Sequence, residues 1–252
     1  MDWFERLTGF RETGYADTRA RLAVEGRQLV SKVNGQRYAI GDLELVSLQT
    51  LRDRVRAGNA TPGALSVRNI SGDVRALHVD PEFAGALFQV ASQFNLLEMV
   101  GPEVTPEQGV TRYQHDSTQG PACAMAAGAA TIYRNYFALV AGEAGQTRDR
   151  QLDGLADMGV ALGSALGMSV SALWAMRNGY ALGTEAGLPA IGKHLHSLDE
   201  DGRDALRATL RIGLHSDVAV TDGDAVPRQR VSQAFCSALP VAYSQVRAEL
   251  WQ

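Results

Sequence analysis

Apolar and polar positions along this chain repeat with two different periods, and the period changes where Gly, Pro or Asn intervenes. Residues 3–11 open with Trp3, Phe4 and Leu7 at helical spacing, which predicts a short amphipathic helix. In the stretch LAVEGRQLVSKVNGQRYAIG the apolar residues alternate until Asn34-Gly35, a pair that tolerates the positive φ of a tight primed turn. Strands are therefore expected over residues 22–33 and 36–40. Leu45, Leu48 and Leu51 then fall on one helical stripe, followed by a basic cluster and a stop at Gly58-Asn59. After the ATPGA turn, ALSVRNISGDVRALHV reads as two strands broken at Ser71-Gly72.

The middle of the chain has helical composition. Alanines and Met125 in PACAMAAGAATIYRNY allow close helix packing over residues 121–136, and Pro121 suits a first turn, where its missing donor costs nothing. A second helix is expected over residues 150–166, with Leu152, Leu155, Met158 and Leu162 as its core stripe. Residues 168–176 look extended, and helices follow over residues 190–198 and 200–210. IGLHSDVAVT and RVSQAFCSALPVAY return to strand pattern and are joined by DGDAVPRQ, which has the turn chemistry of an exposed loop. The final AELWQ is amphipathic and has no helix stop, as though a further helix followed. This alternation of strands and helices predicts one α/β domain, residues 1–252, with a mixed central sheet and helices on both faces. Residues 1–60 would form a β-hairpin and helix elaboration on a core of residues 61–252.

Composition narrows the function classes. The 252 residues are 45% apolar and 21% charged, enough for one large core, and the net charge of −4 comes with dispersed basic residues. That lacks the electrostatic footprint of a dedicated nucleic-acid binder. No apolar run is long enough to span a bilayer, and MDWFERLTGF lacks the pattern of a signal peptide, so a cytoplasmic protein without membrane partners is expected. Two cysteines, Cys123 and Cys236, make no disulfide framework, and no CxxC pair or His-Cys cluster has metal-ligand spacing. His194 and His196 are two apart and cannot share a helix face. Neither a metal nor a cofactor is called for.

The densest candidate chemistry lies in GDVRALHVDPEFAGALFQVASQFNLLE, residues 72–98. Gln89, Ser92, Gln93 and Asn95 sit among Ala86, Leu87, Phe88, Val90, Ala91 and Phe94, and the next carboxylate is Glu98. Buried amides and hydroxyls cost free energy unless partnered. They are satisfied by core backbone, or they line a pocket for a ligand rich in hydrogen-bonding groups. SGDVRALHVDPEFAGALFQVASQFN resembles the opening of macrodomains and of the related poly(ADP-ribose) glycohydrolases. There a Gly-Asp-Ile/Val strand leads into a second apolar strand with a small-residue-and-Asn signature. Gly72-Asp73-Val74 matches the first element and ASQFN, residues 91–95, the second; the match spans about a tenth of the chain. The family's run of three glycines and its paired glutamates are missing. The resemblance implies a macrodomain-like core, ADP-ribose or a related nucleotide as ligand, and hydrolysis of an ADP-ribosyl bond as the accessible reaction. Asp73 would then bind the adenine amino group, Asn95 would lie near the distal ribose, and Glu98 would serve as acid. The strings ASQFNLLEM, TQGPACA and CSALPVAYS are also similar to an uncharacterised bacterial family, which adds no chemistry.

A second constellation, TQGPAC at residues 118–123, opens the Ala-rich helix. A helix N-terminus concentrates unpaired amides and the positive end of the dipole, so it can hold a phosphate or favour a thiolate. In the nucleotide reading Gln119 and Gly120 cradle a pyrophosphate and Cys123 is merely small. In a cysteine-hydrolase reading Cys123 is the nucleophile, His215 its base, and Asp217 orients the imidazole, an order that resembles papain-like enzymes. A buried thiol on an Ala-rich helix accounts for Cys123 equally well. Trp174, Arg177, Asn178 and Tyr180 in WAMRNGYAL suit stacking on a base and contact with a phosphate, and Arg134-Asn135-Tyr136 repeats that chemistry. His115-Asp116 has the composition of an acid-base pair or of an ordinary loop. Phe235 and Tyr243 could wall an adenine site or pack in a core. A third reading is a non-enzymatic interaction protein.

Overall fold

Helix α1, Trp3–Thr8, starts where the Asp2 side chain accepts a bond of 2.7 Å from the Glu5 amide, and it ends at Gly9 with φ 78°. It buries Trp3, Phe4, Leu7 and Thr8. The computed structural model describes residues 1–58, 63–64, 66–73, 76–77, 80–83, 97, 101–116 and 119–219, with backbone alone for Gln119 and for residues 230–235.

After α2, Tyr15–Arg21, the chain makes a three-stranded antiparallel meander: β1 Leu22–Glu25, β2 Gln28–Ser31 and β3 Arg37–Ala39. The single strand expected over residues 22–33 is two, because Gly26 takes φ 59° and reverses the chain. The chain reverses at Asn34-Gly35, but not through the tight primed turn expected: Gly35 takes φ 72° while Asn34 does not take positive φ, the last ladder pair is Val30 with Arg37, and the Asn34 side chain accepts from the Gln36 amide at 3.0 Å. Strand β4, Asp42–Ser47, occupies the first part of the predicted helix, so Leu45 lies in a ladder opposite Gly213 and not on a helical stripe. Three-residue leucine spacing is ambiguous here because Leu43 and Leu45 also alternate. The switch comes at Ser47, whose hydroxyl accepts from the Thr50 amide and caps α3, Leu48–Ala57. Helix α3 stops at Gly58 as expected.

The two strands expected across residues 64–79 are not formed where the chain is described. Residues 66–73 are irregular and exposed, with Val67 82% accessible, and residues 76–77 are helical. A strand needs a paired neighbour and a face to bury, and among the described residues this stretch has neither.

The Ala-rich segment forms α4, Gln119–Ala126, and α5, Gly128–Tyr136, separated at Ala127. The single helix expected there is broken, and the Thr131 hydroxyl ties the halves by donating to the Ala124 carbonyl at 2.7 Å. Short strands β5, Leu139–Val140, and β6, Glu143–Ala144, lead to α6, Ala156–Leu166. Residues 150–155 stay outside that helix, and the Asp153 carboxylate accepts from the Leu155 amide at 2.7 Å. Leu152, Leu155, Met158 and Leu162 are all buried, as their stripe predicted. Helix α7, Val170–Leu173, takes part of the stretch expected to be extended because Ser169 caps it. Strands β7, Trp174–Arg177, and β8, Tyr180–Gly183, form a hairpin, followed by α8, Gly187–Ser197, and α9, Glu200–Thr209. The long strand β9, Arg211–Ala219, lies between β4 and β10, Arg230–Phe235, antiparallel to both.

The chain is thus a mixed α/β protein with small sheets. Every ladder among the described residues is antiparallel, so they form no single central mixed sheet. One core joins Trp3, Phe4, Leu22, Leu29 and Ile40 to Met125, Ala129, Ile132 and Tyr136. A second gathers α6, the β7–β8 hairpin, α8 and α9 around Leu155, Leu173, Trp174 and Ile191. The N-terminal residues are not an elaboration on a separate core: they supply much of the first core, and β4 completes the β9 sheet. No described helix is long and apolar enough to cross a membrane.

Candidate functional site

The centre of the molecule is built on α4 and α5. Every residue from Pro121 to Ile132 is buried, while Gly120, in the first turn of α4, is half-buried. The 3-10 helix Thr111–His115 packs on α4 and brings Arg112 and His115 to its neighbourhood. Arg112 donates to the Gln108 side chain at 2.7 Å, and His115 is exposed beside Gln114. A buried helix has its dipole poorly screened, so its amino end is the place where an anion gains most.

Cys123 is 1% exposed and is the fifth residue of α4, past the first turn where the dipole acts. His215 is 0% exposed, and both its ring nitrogens are engaged away from that thiol. Nδ1 lies 3.0 Å from Arg134 Nη1, and Nε2 lies 2.5 Å from the Ile40 carbonyl oxygen. The Asp217 carboxylate pairs with Arg27 at 3.0 Å. These bonds place the imidazole in a structural role, because a nitrogen held by a guanidinium is not available to take a proton from sulfur.

Arg134, Asn135 and Tyr136, which suggested base and phosphate contacts, are at most 1% exposed. Arg134 Nη2 donates to the Thr131 hydroxyl at 2.8 Å, and the Gln146 side chain donates to the Arg134 carbonyl at 3.0 Å. Asn135 donates to the Pro106 carbonyl at 3.0 Å. The Tyr136 hydroxyl donates to Glu12 at 2.6 Å, and burial together with that carboxylate holds the phenol far above its ordinary range. Glu12 also accepts from the Val110 and Thr111 amides at 2.9 and 2.7 Å, pinning the link between α1 and α2 to the segment before the 3-10 helix. Glu12 and Gln146 carried no signal in the sequence. What could have marked Arg134 as buried is its place in AMAAGAATIYRNYFALV, a mostly apolar run in which it is the one charged residue.

The other predicted residues are dispersed. Arg177 ends β7 opposite Tyr180 and Asn178 lies in the turn to β8; Arg177 pairs with Glu103 at 2.7 Å and Asn178 donates to the Pro102 carbonyl at 2.7 Å. Trp174 is buried in the second core, so its ring is not a surface for stacking a base. Gly72 and Asp73 are exposed and lie outside any strand; the Asp73 carbonyl accepts from the Leu77 amide at 3.2 Å. Gln89, Ser92, Asn95, Glu98, Cys236 and Tyr243 lie outside the described residues, as does the side chain of Gln119.

Comparison with protein-family models, with curated proteins and with solved structures returns no match. The chemistry must therefore be argued from the arrangement itself. Two features stand out: the half-buried first turn of α4, a helix against which the 3-10 helix Thr111–His115 packs, and the sealed network around Arg134. The first has the exposure a ligand site requires; the second is closed to solvent.

Proposed function

We propose that this chain binds a nucleotide of the ADP-ribose type at the amino end of α4, with hydrolysis of an ADP-ribosyl bond as the reaction open to the site. The observation that carries the reading is the first turn of α4: Gly120 is half-buried, the helix behind it is buried, and the 3-10 helix that packs against α4 carries Arg112 and His115. Backbone amides there would take the pyrophosphate, as Gln119 and Gly120 were expected to do. Exposed Asp73 would read the adenine amino group, the role implied by the resemblance to macrodomains and poly(ADP-ribose) glycohydrolases. Gln89 and Ser92 would line the pocket, and Asn95 and Glu98 would orient water or protonate the leaving group, catalysis by positioning above all. Arg177 and Asn178 are needed by their hairpin, and the proposal does not depend on them.

The test is thermal unfolding with ADP-ribose, NAD, AMP and a non-nucleotide control, on the wild type and on Asp73→Ala. A ligand at a hundred times its dissociation constant adds about 2.7 kcal/mol, a rise of roughly 5 °C or more in a domain of this size. The expected result is a rise with ADP-ribose that a folded Asp73→Ala variant loses. A cooperative transition that no nucleotide moves would contradict the proposal.

A further inference from the structure

A guanidinium only donates hydrogen bonds, so Arg134 Nη1 at 3.0 Å obliges His215 Nδ1 to accept. The one ring proton then sits on Nε2 and is donated to the Ile40 carbonyl at 2.5 Å. Geometry alone thus sets the tautomer of a fully buried, neutral imidazole that bridges α5 to the chain entering β4. The bridge stands beside an irregularity of β9. Ser216 and Asp217 together oppose the single residue 232 of β10, since Val218 pairs with Val231 and His215 with Gln233. Asp217 takes φ 60°, and the Gly41 backbone closes against Ser216. Bulges of this kind re-aim the neighbouring side chain, and here the neighbour is His215.

We infer that Arg134 and His215 form an acid-releasable latch between α5 and β9, closed while the imidazole is neutral and broken when it takes a proton. A second N–H on the ring would point at the guanidinium across the 3.0 Å contact, replacing a hydrogen bond by two facing donors and two like charges in a site without exposure. The carboxylates described on the elements packed against it are each held by an arginine. From α5 come Arg134 and Tyr133, whose ring centroid is 5.7 Å from the imidazole. From β4 come Asp42 and Glu44, committed to Arg27 and Arg54 at 2.6 Å. Strand β3 brings Tyr38 and Arg37, the latter paired with Glu25. On β9 itself Arg211 pairs with Asp157 and Asp217 with Arg27. The titratable residue of β10 is Arg230, in register with Ala219. Burial first, and then the neighbouring guanidinium, hold His215 well below the ordinary histidine range.

The sign follows from linkage. The unfolded chain takes a proton on this residue near pH 6.5 and the folded chain does not, so stability is complete above that pH and falls as the pH drops below it. The loss approaches tenfold in the folding constant per pH unit until the folded ring itself protonates.

Urea unfolding of the full chain between pH 8 and pH 5, on the wild type and on His215→Gln, tests the latch. Glutamine keeps a donor and an acceptor and does not titrate. Below about pH 6.5 the wild type should lose up to about tenfold per unit relative to the variant; parallel profiles would overturn the inference. If His215→Gln does not fold, nitrogen NMR of the wild-type ring decides. A neutral Nε2–H ring that persists below pH 6 while the protein stays folded supports the latch. A ring protonated on Nδ1, or titrating near pH 6.5 in the folded protein, overturns it.

Discussion

Gly26 and Gly41 both take positive φ, 59° and 64°, yet their surroundings differ completely. A methyl group on Gly26 meets nothing, whereas one on Gly41 collides with the Ser216 carbonyl and the Asp217 backbone. Gly26→Ala should therefore cost about 1–2 kcal/mol, the ordinary penalty of a left-handed L-residue. Gly41→Ala should cost several times that figure or prevent folding, because backbone on β9 must move. Urea midpoints of the two variants check this, and equal costs would contradict the close approach of Gly41 to β9. Residue by residue, sequence was a good guide to local chemistry and a poor one to burial. Asn34-Gly35 and Gly58 punctuate the chain where expected, although of the three only Gly35, at φ 72°, uses positive φ. Arg134 and His215, in contrast, look like site chemistry in one dimension, and only their pairing across 81 positions of sequence shows that each occupies the other.

Among elements, those carried by a cap or a long stripe were legible. The leucine and methionine positions of α6 are buried as their spacing required, and α9 begins where Asp199 accepts from the Gly202 amide at 2.8 Å. Errors gathered where two periods coincide or where a local bond outweighs composition. Leu45 fits a helix and a strand equally, and Ser47 decides between them by capping α3. Alanine content favours one helix over residues 121–136, but the chain breaks at Ala127 and the Thr131 hydroxyl secures the junction. Val67 and Ile70, expected in a strand, are 82% and 43% exposed, and no described strand covers them. Pairing is a property of the whole sheet and leaves no mark on seven consecutive residues.

For the whole molecule, the arrangement joins the first sixty residues to the rest more closely than their composition suggested. Trp3, Phe4, Leu22 and Ile40 share a core with Ile132 and Tyr136, Glu12 holds the Val110 and Thr111 amides, and β4 is a full ladder partner of β9. A chain shortened to residues 61–252 should show no cooperative thermal transition and no near-ultraviolet circular dichroism. Cooperative melting of that fragment would contradict a shared core. General α/β class was legible from the alternation of strand and helix patterns. The antiparallel pairing of β4 with β9 was not, because 166 positions separate partners such as Val46 and Ile212 along the chain and nothing near either residue records the other. The proposed site was legible in its α4 half, where Gly120 opens a buried helix. Its remaining half rests on residues 89–98 and on the resemblance they carry. The most direct test is a titration of the nitrogen-labelled protein with ADP-ribose, AMP and pyrophosphate, followed at the backbone amides. The account predicts saturable shifts at Gly120, Ala122 and residues 112–115, largest with ADP-ribose and present with pyrophosphate. Saturating ADP-ribose that leaves those amides unmoved would contradict it.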